Sequence, residues 1–441
     1  MYPFDPALEA KSTTKERFVW MLFMGISFFL LYGAANQYAG LSAPHPSLWM
    51  GWEKEIPFIP AFIVPYMSSD LMFVIAFFLP YTRLELRILA ARVLFILLIS
   101  VLIFMLFPLQ FSFEKPSADS YTFLFGLLEA DLPFNQLPSL HVAFAIVLWS
   151  SMKRYLKPQW LKIFVALWFW LIVLSTLFVY QHHFVDLPTG ALLGLLAVYL
   201  VREERASWLI TGFSTPRSLK MGLYYLAAAI VCMVLVFKID ALYGLFVWFF
   251  LSLFSVSLVY AFGLNRILAG REAKAALWQW ILFAPYFVGN YFSWHYYKRK
   301  LSLVSSVMPT VYLGRFPTVE EYTLLQDKGV RHALNLASEQ QVQQEVIPQK
   351  RLPLLDQTIP DPEMLHQGVL WIERYQEEGV YIHCTLGLSR SVLMVSAWML
   401  YGGHSLEETM AHIRKLRPHA VNSPYMQISL EIYQAYLEEI A

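Results

Sequence analysis

Cys384 and Arg390 stand six positions apart, and those two residue types at that spacing can do chemistry on a phosphate. The string reads Val380-Tyr-Ile-His-Cys384-Thr-Leu-Gly-Leu-Ser-Arg390-Ser391. The apolar residues Val380 to Ile382 predict a short buried strand, and the apolar segment from Ser391 to Tyr401 predicts a helix. The loop between them then lies at a helix N-terminus, where unpaired backbone N–H groups and the helix dipole hold an anion such as a phosphate dianion. The same field favours the thiolate of Cys384, which is the nucleophilic form. Arg390 can grip two phosphate oxygens with its planar fork. Gly387 lets the loop turn tightly, so Thr385, Leu386, Gly387, Leu388 and Ser389 are the expected phosphate cradle. The arrangement suits phosphoester cleavage through a cysteine.

A leaving oxygen needs a proton, so a carboxylic acid is expected upstream. The stretch Leu352-Pro-Leu-Leu-Asp356-Gln-Thr-Ile-Pro-Asp361 offers two. Asp356 ends an apolar strand-like run 28 residues before Cys384 and is preferred. Asp361 is the alternative. It lies between Pro360 and Pro362, where it can instead cap a helix beginning near Glu363.

Residues 305–441 resemble the dual-specificity branch of the protein-tyrosine-phosphatase superfamily. Beyond the Cys384 string, Val311-Tyr-Leu-Gly-Arg-Phe-Pro is similar to the family's opening strand and turn. His332-Ala-Leu-Asn-Leu is similar to its next core strand, and Arg414-Lys-Leu-Arg-Pro to the stretch after the helix that follows the site. The resemblance implies that Cys384 forms a phosphocysteine, Arg390 binds the phosphoryl group, Ser391 assists breakdown of the intermediate and Asp356 is the general acid. It implies no metal and no cofactor.

The rest of the chain is of another kind. The whole is 57% hydrophobic and 15% charged, against about 25% charged in a soluble domain. The net charge is +1, which leaves no footprint for nucleic acid. Two cysteines, Cys232 and Cys384, give no disulfide framework. A membrane span needs about 17–25 apolar residues. Eight such runs are read near 18–36, 58–81, 89–110, 139–153, 161–181, 187–201, 221–237 and 241–263. The first lacks a small-residue cleavage pattern and is expected to be retained. Positive charges cluster in alternate loops, among them Lys11, Arg83, Lys153, Arg202, Arg205, Arg271 and Lys274. The other loops carry Glu53, Glu55, Glu114, Asp119, Glu129 and Asp131. The positive-inside rule then places the N-terminus in the cytoplasm. A ninth segment, Leu277 to Ser293, contains Gln279, Pro285 and Asn290 and has positive charge at both ends. It reads as interfacial, which keeps the C-terminal domain cytoplasmic, where its thiol stays reduced.

A second group of chemistry-bearing residues falls in the apolar part. Pro138-Ser-Leu-His141 opens the fourth run, and Gln181-His182-His183-Phe-Val-Asp186 closes the fifth. His182 and Asp186 are spaced to share one face of a helix, so the carboxylate can orient the imidazole. By the charge pattern His141 arrives at the same depth. Two histidines and an aspartate can divide the roles of nucleophile and acid in phosphoryl transfer.

These residues resemble the PAP2 lipid-phosphatase superfamily, in its inositol-phosphorylceramide-synthase-like branch, over about 57–201. The resemblance implies that His182 is the nucleophile, Asp186 its orienter and His141 the acid. Where the superfamily usually has an Arg, six residues before the nucleophile, this chain has Thr176. The usual first motif is reduced to Lys115-Pro116, so Lys115 is the expected phosphate cation.

The expected architecture is a polytopic α-helical membrane domain, 1–294, with a PAP2-like six-helix core, joined to a soluble α/β cysteine-phosphatase domain, 305–441. It resembles bacterial inner-membrane fusions of PAP2 and dual-specificity phosphatase domains. The first expectation is a membrane-bound phosphatase acting on a lipid phosphate. The cradle holds no Lys for a polyanionic inositol lipid, which favours a simpler monoester such as phosphatidylglycerophosphate. The alternative is a phosphotyrosine or phosphoserine protein phosphatase anchored by an inactive membrane module. In a third reading the membrane half is a binding or transport module.

Overall fold

The computed structural model describes residues 11–116, 120–128, 131–201, 212–213, 215–236, 238–269, 275–340, 346–420 and 424–440. Asp119, Glu129, Arg202, Arg205, Arg271 and Lys274 lie outside them. The chain divides into two compact units, 1–206 and 207–441.

The first unit is helical: α1 (Thr14–Gly40), α2 (Ile63–Phe78), α3 (Arg83–Leu106), α4 (Thr122–Leu128), α5 (Leu140–Met152), α6 (Gln159–Phe178) and α7 (Asp186–Leu200). Two helix starts carry the reciprocal Ser/Thr-x-x-Glu cap. Thr13 accepts from the Glu16 N–H while Glu16 reaches back to the Thr13 N–H, and Thr82 and Glu85 do the same for α3. Helices α5 and α7 pack closely because α7 carries Gly190 and Gly194, one turn apart. A Cβ on Gly190 would collide with the Ser139 carbonyl, and one on Gly194 would stand 2.8 Å from the Ala143 carbonyl. Small residues at this spacing let two helix backbones approach within a membrane. Their N-termini are tied together by Ser139 N–H donating to the Asp186 carbonyl at 3.1 Å.

The second unit begins with β1 (Gly212–Phe213), then α8 (Pro216–Val236), α9 (Tyr243–Phe262), α10 (Asn265–Ala269) and α11 (Leu277–Tyr297). The α/β part follows: β2 (Val304–Met308), β3 (Val311–Arg315), α12 (Val319–Asp327), β4 (His332–Ala337), β5 (Gln349–Leu354), β6 (Ile359–Pro360), α13 (Pro362–Tyr375), β7 (Val380–Cys384), α14 (Arg390–Tyr401), α15 (Leu406–Leu416) and α16 (Pro424–Ile440). Five strands form a mixed sheet in the order β2-β3-β7-β4-β5, with only β2 antiparallel to its neighbour. Every residue of β7 is buried, as expected of a central strand covered on both faces.

Each of the eight expected apolar runs holds a helix among the described residues. Six helices among the described residues are long and apolar enough to cross a membrane. The other two, α5 and α7, have 13 and 15 residues, or about 20 Å at 1.5 Å per residue against a hydrocarbon core of about 30 Å. The ninth segment, α11, is a helix with Pro285 inside it and is not one of the six. Together these elements make a helical membrane-embedded region followed by an α/β domain.

Helices α8 to α11 belong to the same compact unit as the α/β domain. Strand β1 pairs with β6. Asn265 donates to the Pro353 carbonyl at 2.6 Å, Thr215 to the Gln357 carbonyl at 2.7 Å and the Trp294 indole to the Phe316 carbonyl at 2.9 Å. Leu355 completes an apolar cluster with Val256, Tyr260, Phe283 and Tyr286.

Candidate active sites

Strand β7 runs straight into Cys384, and α14 starts at Arg390. The loop therefore lies beyond the carboxyl end of a central parallel strand, the usual ligand position in such sheets. Gly387 has φ +72°, and a Cβ there would press on the Gly314 carbonyl at 2.6 Å, so the tight turn requires glycine. Cys384 is buried. Its Sγ accepts from the Gly387 N–H at 3.3 Å and lies 3.4 Å from Ser391 Oγ. Thr385, Ser389 and Arg390 are buried in the same loop, with Leu386 and Leu388 half-buried beside them.

Arg390 makes a two-pronged ion pair with Glu339, at 2.8 and 2.6 Å, and donates to the Leu354 carbonyl at 3.1 Å. Thr385 Oγ1 also donates to Glu339. Burial opposes ionisation of Glu339, but the Arg390 guanidinium wins and holds the carboxyl below the usual glutamate range. Glu339 follows β4 and lies 45 residues before Cys384; no local motif marked it. His383 is fully buried, and neither ring nitrogen has a partner among the described residues. Burial pushes it down to about 3, so it is neutral. It stacks on Tyr381 and meets the edge of Phe316.

The two candidate acids are separated by the fold. Asp356 accepts from Ser389 Oγ at 2.6 Å and lies 3.8 Å from Arg390 Nε. Gln357 donates to its other oxygen at 3.0 Å. Asp361 points elsewhere and accepts from the Glu363 N–H at 3.0 Å as the cap of α13. Tyr260 and Tyr286 share a 3.1 Å hydroxyl contact, with Tyr225 stacked on Tyr260. This trio lies within electrostatic reach of Glu339.

Residues 311–435 match the family described as dual specificity phosphatase, catalytic domain, and residues 108–204 match the PAP2 superfamily. A mouse protein, phosphatidylglycerophosphatase and protein-tyrosine phosphatase 1, is 32% identical over 147 residues, covering 30% of this chain and 74% of its own. The chain belongs to the dual specificity phosphatases. The rat protein of the same name is 38% identical over 99 residues, 22% of this chain and 50% of its own. Human protein phosphatase Slingshot homolog 3 is 32% identical over 153 residues, 30% of this chain and 21% of its own. The chain thus spans half or less of those two relatives. Among solved structures, Tk-PTP in the active form is 25% identical with a TM-score of 0.28, covering 30% of this chain and 96% of its own. PTPMT1 in complex with PI(5)P is 26% identical with a TM-score of 0.29, covering 32% and 100%.

The PAP2-matching region holds the second group. His182 Nδ1 lies 3.1 Å from Asp186 Oδ2. The expectation of a shared helix face is corrected here: the helix begins at Asp186, and His182 lies in the connection before it. Tyr180 turns the chain with φ +54°, and Asp186 also accepts from the His183 N–H at 3.0 Å, so a tight turn replaces the helical spacing. The rings of His141 and His182 are 6.1 Å apart, and Tyr66 stacks on His141. His183 pairs with buried Glu53 at 3.1 Å, which fixes the loop from the other side. Thr176 turns its hydroxyl back to the Val173 carbonyl, while its own carbonyl accepts from the His182 N–H. It positions the loop and offers no cation.

A cavity of about 370 Å³ opens beside His141 and His182 and is lined also by Tyr32, Asn36, Asp70 and Asp131. Lys115 is not in its lining; the ammonium lies 5.9 Å from the Phe111 ring centre. Asp131 accepts from Tyr32 at 2.8 Å and from Asn36 at 2.6 Å. Burial raises the Asp131 carboxyl above the usual range, against the opposing pull of Tyr32, His182, Lys115 and Asn36.

Proposed function

We propose that this membrane phosphatase hydrolyses a phosphomonoester through Cys384 in its C-terminal domain, 305–441. The thiolate attacks phosphorus while Arg390 and the backbone of residues 385–389 hold the equatorial oxygens. Asp356 gives its proton to the departing oxygen, leaving a phosphocysteine. A water molecule, deprotonated by the same carboxylate, then releases phosphate, with Ser391 stabilising the departing sulfur at 3.4 Å. The observation that carries this reading is the convergence of Cys384, Arg390, Ser391 and Asp356 on one anion-sized loop.

The substrate we favour is a lipid phosphate such as phosphatidylglycerophosphate. The loop bearing Asp356 is packed against apolar helices α9 and α11, which holds the site beside a bilayer-facing element. The printed names of the mouse and rat relatives, which include phosphatidylglycerophosphatase, support the same class. The second reading is a phosphoprotein substrate, for which the Slingshot match speaks. We place the domain in the cytoplasm of a bacterial-type cell, with the protein multiply spanning the inner membrane.

In the membrane domain, 1–294, we assign His182 as a second nucleophile, Asp186 as its orienter and His141 as the acid. Phosphate release by the detergent-purified full chain from lipid monoesters and phosphopeptides, with Cys384→Ser alongside, tests both assignments. Lipid activity abolished by Cys384→Ser assigns it to the cysteine site. Lipid activity that survives while phosphopeptide activity dies assigns it to His182.

A further inference from the structure

Four side chains from the loops of the first unit form a hydrogen-bonded chain with no part in either phosphate mechanism. Ser47 Oγ lies 3.0 Å from His183 Nε2. His183 Nδ1 lies 3.1 Å from Glu53 Oε2. Ser112 Oγ stands 3.0 Å from Ser47 Oγ. Ser47 and Glu53 come from the connection between α1 and α2, Ser112 from the segment after α3 and His183 from the loop before α7. The described lining of the cavity beside His141 and His182 includes none of the four. Ser47 and Glu53 also precede residues 108–204, the part that matches the PAP2 superfamily.

The order is that of a nucleophile, a base and an orienting carboxylate. The Ser112 N–H points at His183 Nε2 at 3.4 Å, so that nitrogen is an acceptor and the ring proton sits on Nδ1, facing Glu53. That tautomer can take a proton from a serine. Glu53 is fixed in turn: its oxygens accept from the Met50 N–H at 2.7 Å and the Phe184 N–H at 2.9 Å. Phe111 stacks on the His183 ring at 4.4 Å, and Phe113 meets it edge-on. The loops bearing Ser47 and Ser112 are laced together. The His45 N–H donates to the Gln110 side chain at 2.9 Å, and the Gln110 N–H to the Pro46 carbonyl at 3.1 Å. Glu53 and His183 are buried, Ser47 is half-buried and Ser112 is exposed, so the base is shielded and the nucleophile can be reached.

The serine is set in an apolar surface. Leu48, Trp49, Met50 and Trp52 follow it in the chain and are exposed. Trp49 meets the edge of Phe113, and Trp52 that of Phe184, so the patch is continuous with the rings around His183. Exposed tryptophans beyond the ends of apolar helices suit the membrane–water interface. An acyl chain can lie on this patch with its ester carbonyl at the serine. Acyl transfer develops negative charge on one carbonyl oxygen, which needs a hydrogen-bond donor. The Ser112 hydroxyl beside Ser47 Oγ is such a donor.

We propose that Ser47, His183 and Glu53 form a serine-esterase site that cleaves the acyl ester of a glycerophospholipid. Ser47 Oγ bonds to the carbonyl carbon while its proton passes to His183 Nε2. Ser112 donates to the oxyanion that forms. The bond from carbon to the glycerol oxygen then breaks, and His183 gives that oxygen the proton. Water adds to the acyl-Ser47 ester with His183 as the base. The bond to Ser47 Oγ breaks, His183 returns the proton to the serine, and a free fatty acid leaves. Glu53 holds the imidazole throughout and steadies its protonated form.

The test uses the full-length chain in micelles of palmitoyl lysophosphatidylglycerol, with free fatty acid as the readout. Neither phosphate site breaks a carboxylic ester, so fatty acid reports this site alone. A long-chain alkyl fluorophosphonate should label the protein, and peptide mass spectrometry should place the adduct on Ser47. Ser47→Ala should abolish both the label and the fatty acid while leaving Cys384-dependent phosphate release unchanged. His183→Gln should slow labelling by about 10²-fold or more. Ser112→Ala should lower fatty-acid release by about 10²-fold. Fatty-acid release that survives in Ser47→Ala, or an adduct on Ser112 instead, overturns the proposal. So does a wild-type chain that neither labels nor releases fatty acid. A labelled Ser47 with no fatty acid released overturns the lipid ester as its substrate.

Discussion

Thr215, the residue before α8, donates its hydroxyl to the carbonyl of Gln357 at 2.7 Å. Gln357 has φ +64°, unusual for a residue with a side chain, and it sits next to Asp356 and donates to that carboxylate. An apolar helix entry thus holds the backbone that aims the candidate acid. Thr215→Val removes the hydrogen bond to Gln357, worth about 1 kcal/mol or about fivefold in rate, together with the one the same hydroxyl accepts from the Ser218 N–H at 3.0 Å. That loss should fall on alkyl phosphates, which need leaving-group protonation, and spare aryl phosphates. Thr215→Ser should restore the rate. Equal slowing of both substrates would mean that Thr215 only supports folding.

Asp356 and Asp361 should separate cleanly. Asp356→Asn is expected to lower kcat on an alkyl phosphate by about 10²–10⁴-fold and to leave an aryl phosphate nearly unaffected. Asp361→Asn leaves an amide that can still cap α13, so kcat should hold. Asp361→Ala should cost about 1 kcal/mol of stability. The reverse pattern in kcat would exchange the two assignments.

How much of this was legible in the sequence depended on range. The strand, loop and helix around Cys384 are contiguous, so residue type and spacing placed them. The apolar helices were legible because each is a continuous run. Glu339 was not, because it reaches Arg390 through the pairing of β4 with β7. Asp131 and Asn135 share one loop, but Asn36 reaches Asp131 from α1, 95 residues away, so they make no motif. The grouping of α8–α11 with the α/β domain was hidden for the same reason: it depends on contacts such as Thr215 with Gln357 and Asn265 with Pro353. The His182–Asp186 pairing was anticipated from helical spacing, but a turn at Tyr180 delivers it.

Glu339→Gln tests the ion pair that holds Arg390. Removing one partner of a buried pair costs about 3–5 kcal/mol, and the phosphate KM should rise because the guanidinium loses its brace. Glu339 sits below its unfolded value, so its contribution is present above about pH 4.3 and is lost as pH falls through the lower folded value. Melting curves across that acid window should be steeper in wild type than in Glu339→Gln. Parallel curves would remove the pair as a source of acid sensitivity.

His383 acts over a different window. Folded, it takes up a proton only near pH 3, whereas an unfolded histidine does so near about 6.5. A depressed folded value means that stability is full above about pH 6.5 and falls as pH drops toward the folded value, by up to about 1.4 kcal/mol per pH unit. Its two ring nitrogens are buried, with no hydrogen-bond partner among the described residues, and the ring lies between Tyr381 and Phe316. His383→Phe keeps an aromatic ring there and removes both the proton site and the unpaired nitrogens. Hydrogen–deuterium exchange of β7 in the full chain should therefore quicken between pH 6.5 and 5 in wild type, after correction for intrinsic exchange, and stay flat in the variant. Matching pH dependence in the two proteins would place the acid sensitivity of this strand elsewhere.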